Sequence, residues 1–142
     1  MQLRKGLART AAMCGIAAAY YLAMLGVNNH VNNREYDNPT FGFHTVSRAD
    51  GAFGTIMYTR YYGKNPEADQ ITRRNILNKS REVIIDFGGN HKTDGKADWI
   101  HTTDGREDQY LSRQKDYPTF RKKFAKADKL LAESKKRFEK YF

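Results

Sequence analysis

The chain has 142 residues, a formal net charge of +9 and one cysteine, Cys14. A single cysteine excludes a disulfide framework within the chain, and the length allows one small domain besides a membrane segment. The positive charge is concentrated at the two ends: residues 1–27 carry three basic residues and no acid, and residues 119–142 carry nine basic residues and three acids. Such ends favour contact with anionic lipid (cardiolipin is one candidate), nucleic acid or an acidic partner subunit.

The first predicted element is a helix that spans a membrane. Residues 10–27 contain no charge and no proline, and as a helix they would reach about 27 Å, close to the hydrocarbon thickness of about 30 Å. We expect residues 1–27 to form a retained anchor, with a cleaved secretory signal peptide and a mitochondrial import signal as the alternatives. The basic residues before the span predict that the N-terminus lies in the cytoplasm or the mitochondrial matrix.

Small residues recur along this helix at every fourth position. Ala11, Gly15, Ala19 and Ala23 therefore share one side of it. Because lipid provides little hydrophobic drive between helices, close backbone approach along small residues favours their association. We predict that these four residues form a helix-packing site, and the alternative is an alanine-rich span in which the spacing arose by chance.

The middle of the chain is polar and balanced in charge. Five asparagines, Asp37 and Pro39 predict a turn-rich linker over residues 28–40. Residues 41–115 are expected to form a small α+β or extended region. Its predicted elements are a β-hairpin over residues 41–63 with its turn at Asp50 and Gly51, a short helix over residues 65–81 begun by Asn65 and Pro66, and a strand over residues 82–87.

One short repeat lies in this region, because the sequence HKTDGKAD of residues 91–98 returns as HTTDGRED in residues 101–108. One hypothesis is a pair of Asp-Gly turns around a short strand that buries Trp99. The other is a cation site, although the spacing fits neither an EF-hand loop nor a zinc motif. We favour the turns and predict no metal, cofactor or catalytic residue. The candidate cation ligands are His91, Asp94, Asp98, His101, Asp104 and Asp108.

The last predicted element is a basic amphipathic helix over residues 116–142. Its apolar line repeats at alternating spacings of four and three residues. An aromatic line of this kind would be costly in water, so we expect it to dock on a partner subunit, with the chain's own domain and an anionic membrane surface as alternatives. The predicted docking residues are Phe120, Phe124, Leu131, Phe138 and Tyr141, and Ala127 and Ser134 complete the line.

Together these elements predict a mostly α fold with short β elements: a single N-terminal transmembrane helix, a small irregular α+β extension and a long C-terminal helix. The function they favour is that of a non-catalytic, single-span accessory subunit of a membrane complex. The expected location is the mitochondrial inner membrane, in a respiratory-chain complex or ATP synthase, with a bacterial inner membrane as the alternative.

Two other functions stay open from the sequence. One is a membrane-anchored binding domain in the periplasm or intermembrane space. The other is a membrane-associated ribosomal protein, although the acids within the basic tail and the lack of a recognised RNA-binding motif disfavour nucleic acid.

Overall fold

The computed structural model describes residues 2–62, 67–88 and 93–142. Its elements are α1 (Gln2–Asn32), β1 (Arg34–Asn38), β2 (Phe43–Asp50), β3 (Gly54–Tyr61), β4 (Ala68–Asn75), β5 (Ser80–Phe87), β6 (Trp99–Thr103), β7 (Asp108–Ser112), α2 (Arg113–Phe138) and a final 3-10 turn (Glu139–Tyr141). The seven strands form one antiparallel sheet in which spatial order equals chain order, from β1 to β7. The expectation of a mostly α fold is therefore wrong, because a sheet forms the body of the domain.

The core lies between one face of the sheet and α2. Side chains alternate between the two faces of a strand, and every second residue of β2 to β7 points toward the helix. The centre of this layer is Tyr58, stacked on Phe138 of α2 with 5.9 Å between ring centroids. The other buried sheet residues of the core are Val46, Ile56, Ile71, Ile84, Ile100 and Leu111.

The predicted hairpin and the predicted strand are confirmed, and the predicted helix over residues 65–81 is wrong. β2 and β3 pair around the turn at Asp50 and Gly51, and β5 covers residues 82–87. Residues 68–75 form β4, with Ile71 facing α2 and Thr72 facing the other side. The arginines near the end of β4 interrupt the alternation of apolar and polar residues that is typical of a strand. The helix-start signal at Asn65 and Pro66 lies outside the described residues.

Two further segments differ from expectation. The predicted linker continues α1 to Asn32 and then pairs as edge strand β1. Trp99 is 47% exposed, whereas Ile100 beside it is 1% exposed. The strand between the Asp-Gly turns is present as predicted, but its register sends Ile100 into the core and Trp99 to the opposite face.

α2 confirms the predicted C-terminal helix and begins slightly earlier, at Arg113. Pro118 lies inside it, and Phe120 has non-helical backbone angles of φ −113° and ψ 31°. Proline has no N–H to donate to the preceding turn, which accounts for a kink at this point. After the kink, Phe124, Ala127, Leu131, Ser134 and Phe138 are all buried against the sheet.

Candidate functional site

Within the described residues, one N-terminal helix is long and apolar enough to cross a membrane. The candidate span covers Arg9–Asn32, with a mean hydropathy of 1.6, and none of its most apolar window is buried inside the protein. Membrane anchors and signal sequences share this property. An apolar helix exposed along its length needs lipid or another protein around it.

The last turns of α1 are held by the turn between β2 and β3. The side-chain amide of Asn28 donates hydrogen bonds to the carbonyl oxygens of Gly51 and Gly54, both at 2.7 Å. Tyr21 lies beside Phe53, with ring centroids 6.4 Å apart. The domain is therefore fixed to the side of the helix that carries Tyr21 and Asn28.

The predicted helix-packing residues lie on the other side of α1. Ala19 precedes Asn28 by nine residues, which corresponds to about 180° around a helix. Ala11, Gly15, Ala19 and Ala23 are all exposed, and a Cβ added at Gly15 would meet no atom within 4 Å. The described part of the chain's own domain therefore leaves this small-residue side uncovered.

The predicted partner-docking residues lie against the chain's own sheet. Phe124, Leu131 and Phe138 belong to the buried core, and Phe120 and Tyr141 are partly buried next to it. The guanidinium of Arg48 on β2 also lies 4.3 Å from the ring centroid of Tyr141. The alternative that the helix docks on its own domain is thus the one observed, and its apolar line is occupied within the chain.

Sequence reasoning missed the side of the sheet that faces away from α2, which we call the open face. No described helix lies across it, apart from the end of α1 at one corner. Phe43 lies between two tyrosines on neighbouring strands, 5.9 Å from each ring centroid. At the other end, the ring of His101 stacks on Tyr110 at 4.1 Å. The exposed aromatic residues of this face are Tyr36, Tyr61, Phe87, Trp99 and Tyr110.

A cavity of about 560 Å³ opens on this face near the end of α1. Its walls include Val31 of α1, Phe43 and Met57. Thr72, which also lines it, is buried. The alternation of aromatic and threonine residues along β2 and β3 is the sequence signal that could have revealed the face.

A second unexpected feature is a pair of buried carboxylates. Asp69 on β4 and Asp86 on β5 are directly opposite in register on the face toward α2. Asp69 accepts hydrogen bonds from Arg60 at 3.3 Å and Thr93 at 2.9 Å, and Lys135 of α2 lies 3.6 Å away. These partners tie β3, α2 and the segment before β6 to one charge.

Among the described residues no cation pairs with Asp86, which accepts backbone hydrogen bonds instead. Its donors are the N–H groups of Gly95 at 2.7 Å and Asp94 at 3.4 Å. Burial raises the pKa of Asp86 to about 6, although these two hydrogen bonds favour the ionised form. Both carboxylates thereby bind the segment that leads to β6.

The acids of the repeat are used in turns rather than gathered around a common point. Asp98 accepts a hydrogen bond from the Phe87 N–H at 2.8 Å. The N–H groups of Glu107 and Arg106 bind Asp104 and lower its pKa. Among the described residues, no three His, Cys, Asp or Glu side chains are placed to hold a metal ion, and His91 lies outside them.

No known protein family, curated protein or solved structure matches this chain.

Proposed function

We propose that this protein is a single-span accessory subunit of a membrane complex, with a non-catalytic, structural role. α1 anchors it, and the open face docks on a neighbouring subunit of that complex. One observation carries the proposal: an exposed aromatic face is fixed beside the end of an apolar helix. Aromatic residues are enriched where proteins bind one another, and an anchored domain meets a partner in the same membrane at high effective concentration.

The two sides of α1 support the same proposal. Its domain occupies the Asn28 side, and the small-residue side is left for a helix of the partner. Contact through the membrane and contact through the open face would then act together. This division of surfaces explains why the aromatic line of α2 is not needed for docking.

We further propose the mitochondrial inner membrane as the location, with a respiratory-chain complex or ATP synthase as the host. The support is the sequence before Glu35, which contains basic residues and no acid, as import signals do. A bacterial inner membrane with the domain in the periplasm is the alternative.

The test is the size at which the full chain migrates after native membranes are solubilised in mild detergent, with mass spectrometry of the proteins that migrate with it. We expect a large assembly that contains integral membrane subunits. Migration as a free monomer or small homo-oligomer would overturn the accessory role. Release into the soluble fraction, without residues 1–27, would show a cleaved signal instead of an anchor.

A paired set of variants tests the surface on α1. Gly15→Leu with Ala19→Leu places bulk on the small-residue side, so we expect the chain to leave the large assembly and remain in the membrane. Met13→Leu with Ile16→Leu keeps the volume of the helix nearly constant and serves as the control. Retention of the first pair in the assembly would contradict helix packing through this side.

The cavity on the open face favours a second candidate function, binding of a small apolar ligand. Its volume of about 560 Å³ is within the usual range for ligand sites of about 300–1,000 Å³. Met57→Trp would place a larger ring in its wall and obstruct it. Loss of a co-purifying small molecule without loss of the large assembly would favour ligand binding over docking.

A further inference from the structure

The end of the sheet nearest α1 carries two adjacent turns with apolar tips. The β2–β3 turn contains Phe53, and the β4–β5 turn contains Ile76 and Leu77, which are 65% and 73% exposed. The N–H of Ile76 donates to the carbonyl oxygen of Phe53 at 2.9 Å. The two tips therefore form one surface, which we call the apolar end.

The contacts with α1 set the depth of the apolar end. Arg9 is the last charged residue before the span, and about 20 residues are needed to cross the hydrocarbon, which extends to about residue 29. Tyr21, the neighbour of Phe53, would then lie about 12 Å inside that limit, at 1.5 Å per residue. If α1 is an anchor, Phe53 is placed at the level of lipid.

The backbone polar groups of both turns are paired as a lipid environment requires. In lipid, every backbone polar group needs a partner within the protein. Asn28 occupies the carbonyl oxygens of Gly51 and Gly54, and Phe53 is bound by Ile76. In the second turn, the Asn75 side chain accepts a hydrogen bond from the N–H of Leu77 at 3.0 Å. The asparagines thus satisfy polar groups where water would be scarce.

Basic residues surround the apolar end. Arg74 and Arg81 are directly opposite each other on β4 and β5, and no ion pair involves either of them among the described residues. Like charges in this position destabilise a sheet unless an anion lies between them. A cavity of about 600 Å³ adjoins them, and its charged lining comprises Asp50, Arg73, Arg74, Arg81, Glu82, Lys123 and Lys126.

We propose that the apolar end is seated in the membrane beside α1 and that Arg74 and Arg81 bind the phosphate of an anionic phospholipid. The proposal rests on the anchor of the proposed function but requires no partner protein. The arginines belong to the sheet, not to the basic ends of the chain from which the sequence predicted lipid contact. Apolar tips with cations just behind them on the strands match a bilayer, where acyl chains and phosphates lie in adjacent layers.

The depth is tested with the full chain in vesicles of phosphatidylcholine and phosphatidylglycerol that carry nitroxide-labelled acyl chains. In a Cys14→Ser background, a fluorophore on Leu77→Cys should be quenched by the nitroxide. A fluorophore on Thr40→Cys, in the turn at the other end of strand β2 and about 25 Å away, should not be quenched.

The native Cys14, labelled in the unmodified chain, separates the two possible failures. If Cys14 is quenched and the Leu77 position is not, the anchor stands and the seating of the apolar end is overturned. If Cys14 is also unquenched, the anchor itself fails, and with it the proposed function. Equal quenching at positions 40 and 77 would show the whole domain lying on the lipid and would also overturn this proposal.

The lipid headgroup is tested by the preference of the reconstituted protein for spin-labelled phosphatidylglycerol over spin-labelled phosphatidylcholine. Arg74→Gln with Arg81→Gln should lower this preference by about fivefold for each arginine. Arg121→Gln with Lys122→Gln removes the same charge from exposed positions of α2 and should leave it nearly unchanged. Arg74→Lys with Arg81→Lys should retain most of it. An unchanged preference in the glutamine variant, or an equal loss in the control, would overturn the lipid site.

Discussion

Asp86 shows how one buried carboxylate makes stability depend on pH. Its pKa is about 6 in the folded protein and has an ordinary value of 3.8. Below about pH 4 the group is protonated in both the folded and the unfolded state. As the pH rises toward 6, the unfolded chain ionises first, so this residue lowers the free energy of unfolding. Above pH 6 the folded state holds a buried charge that burial disfavours.

We therefore expect Asp86→Asn to gain stability relative to the native chain between about pH 4 and pH 7, by up to about 3 kcal/mol. Thermal unfolding of the full chain in mild detergent, followed across this range, measures the change. Glu107→Gln, at an exposed position, is the control and should show no such trend. If Asp86→Asn tracked the native chain at every pH, the carboxylate would not be the source of the dependence.

Asn28 is the residue that joins the anchor to the domain. Asn28→Ala would leave the carbonyl oxygens of Gly51 and Gly54 without donors, and an unsatisfied buried group costs about 1–3 kcal/mol. We expect faster proteolysis in the β2–β3 turn of the reconstituted protein. Asn29→Ala, one position away on the exposed side, should be cleaved at the native rate. Equal rates for the two variants would show that the two hydrogen bonds donated by Asn28 contribute no stability.

Among the elements, α2 depends most on contacts with the sheet. Phe124→Ala should cost about 3–5 kcal/mol and Leu131→Ala about 2–5 kcal/mol, because each leaves a cavity in the core. We expect the double variant to expose α2 to protease and to lower the melting temperature of the domain. Lys129→Ala, on the exposed side of the same helix, is the matched control. A resistant α2 in the double variant would contradict its docking on the sheet.

Local signals were the ones that could be predicted from the sequence. The Asp50-Gly51 turn marks its hairpin within a few residues, and the line from Phe120 to Tyr141 marks the helix by its own spacing. β4 was missed because Arg73 and Arg74 interrupt its apolar alternation. The apolar line of a helix can dock on the chain's own domain or on a partner. Which of the two occurs depends on a sheet face assembled from six strands, and no single stretch of sequence contains that face.

The features of the site also depend on contacts between residues that are far apart in the sequence. Asp69 and Asp86 are opposite each other only because β4 and β5 pair in one register. Arg74 and Arg81 depend on that register too, and the open face exists only once all the strands are in place. Asn28 reads as a linker residue until the hairpin that it holds is known.

For the whole molecule, the open face is the surface expected to bind a partner. Trp99→Ser with Tyr110→Ser removes two exposed rings, so we expect the melting temperature to change little and the chain to be lost from the large assembly. Tyr117→Ser removes a partly exposed ring from α2 and should leave assembly intact. A double variant that stays assembled would show that docking uses another surface.

The order of the strands has a consequence for folding. Because the spatial order of the strands equals their order in the chain, each strand can join the one before it as soon as it is free to fold. α2 follows the sheet in the chain, so until α2 is available the apolar face around Tyr58 and Ile84 has no cover. A chain truncated before Arg113 would hold all seven described strands with the interior of the sheet open, and we expect chaperones to bind it.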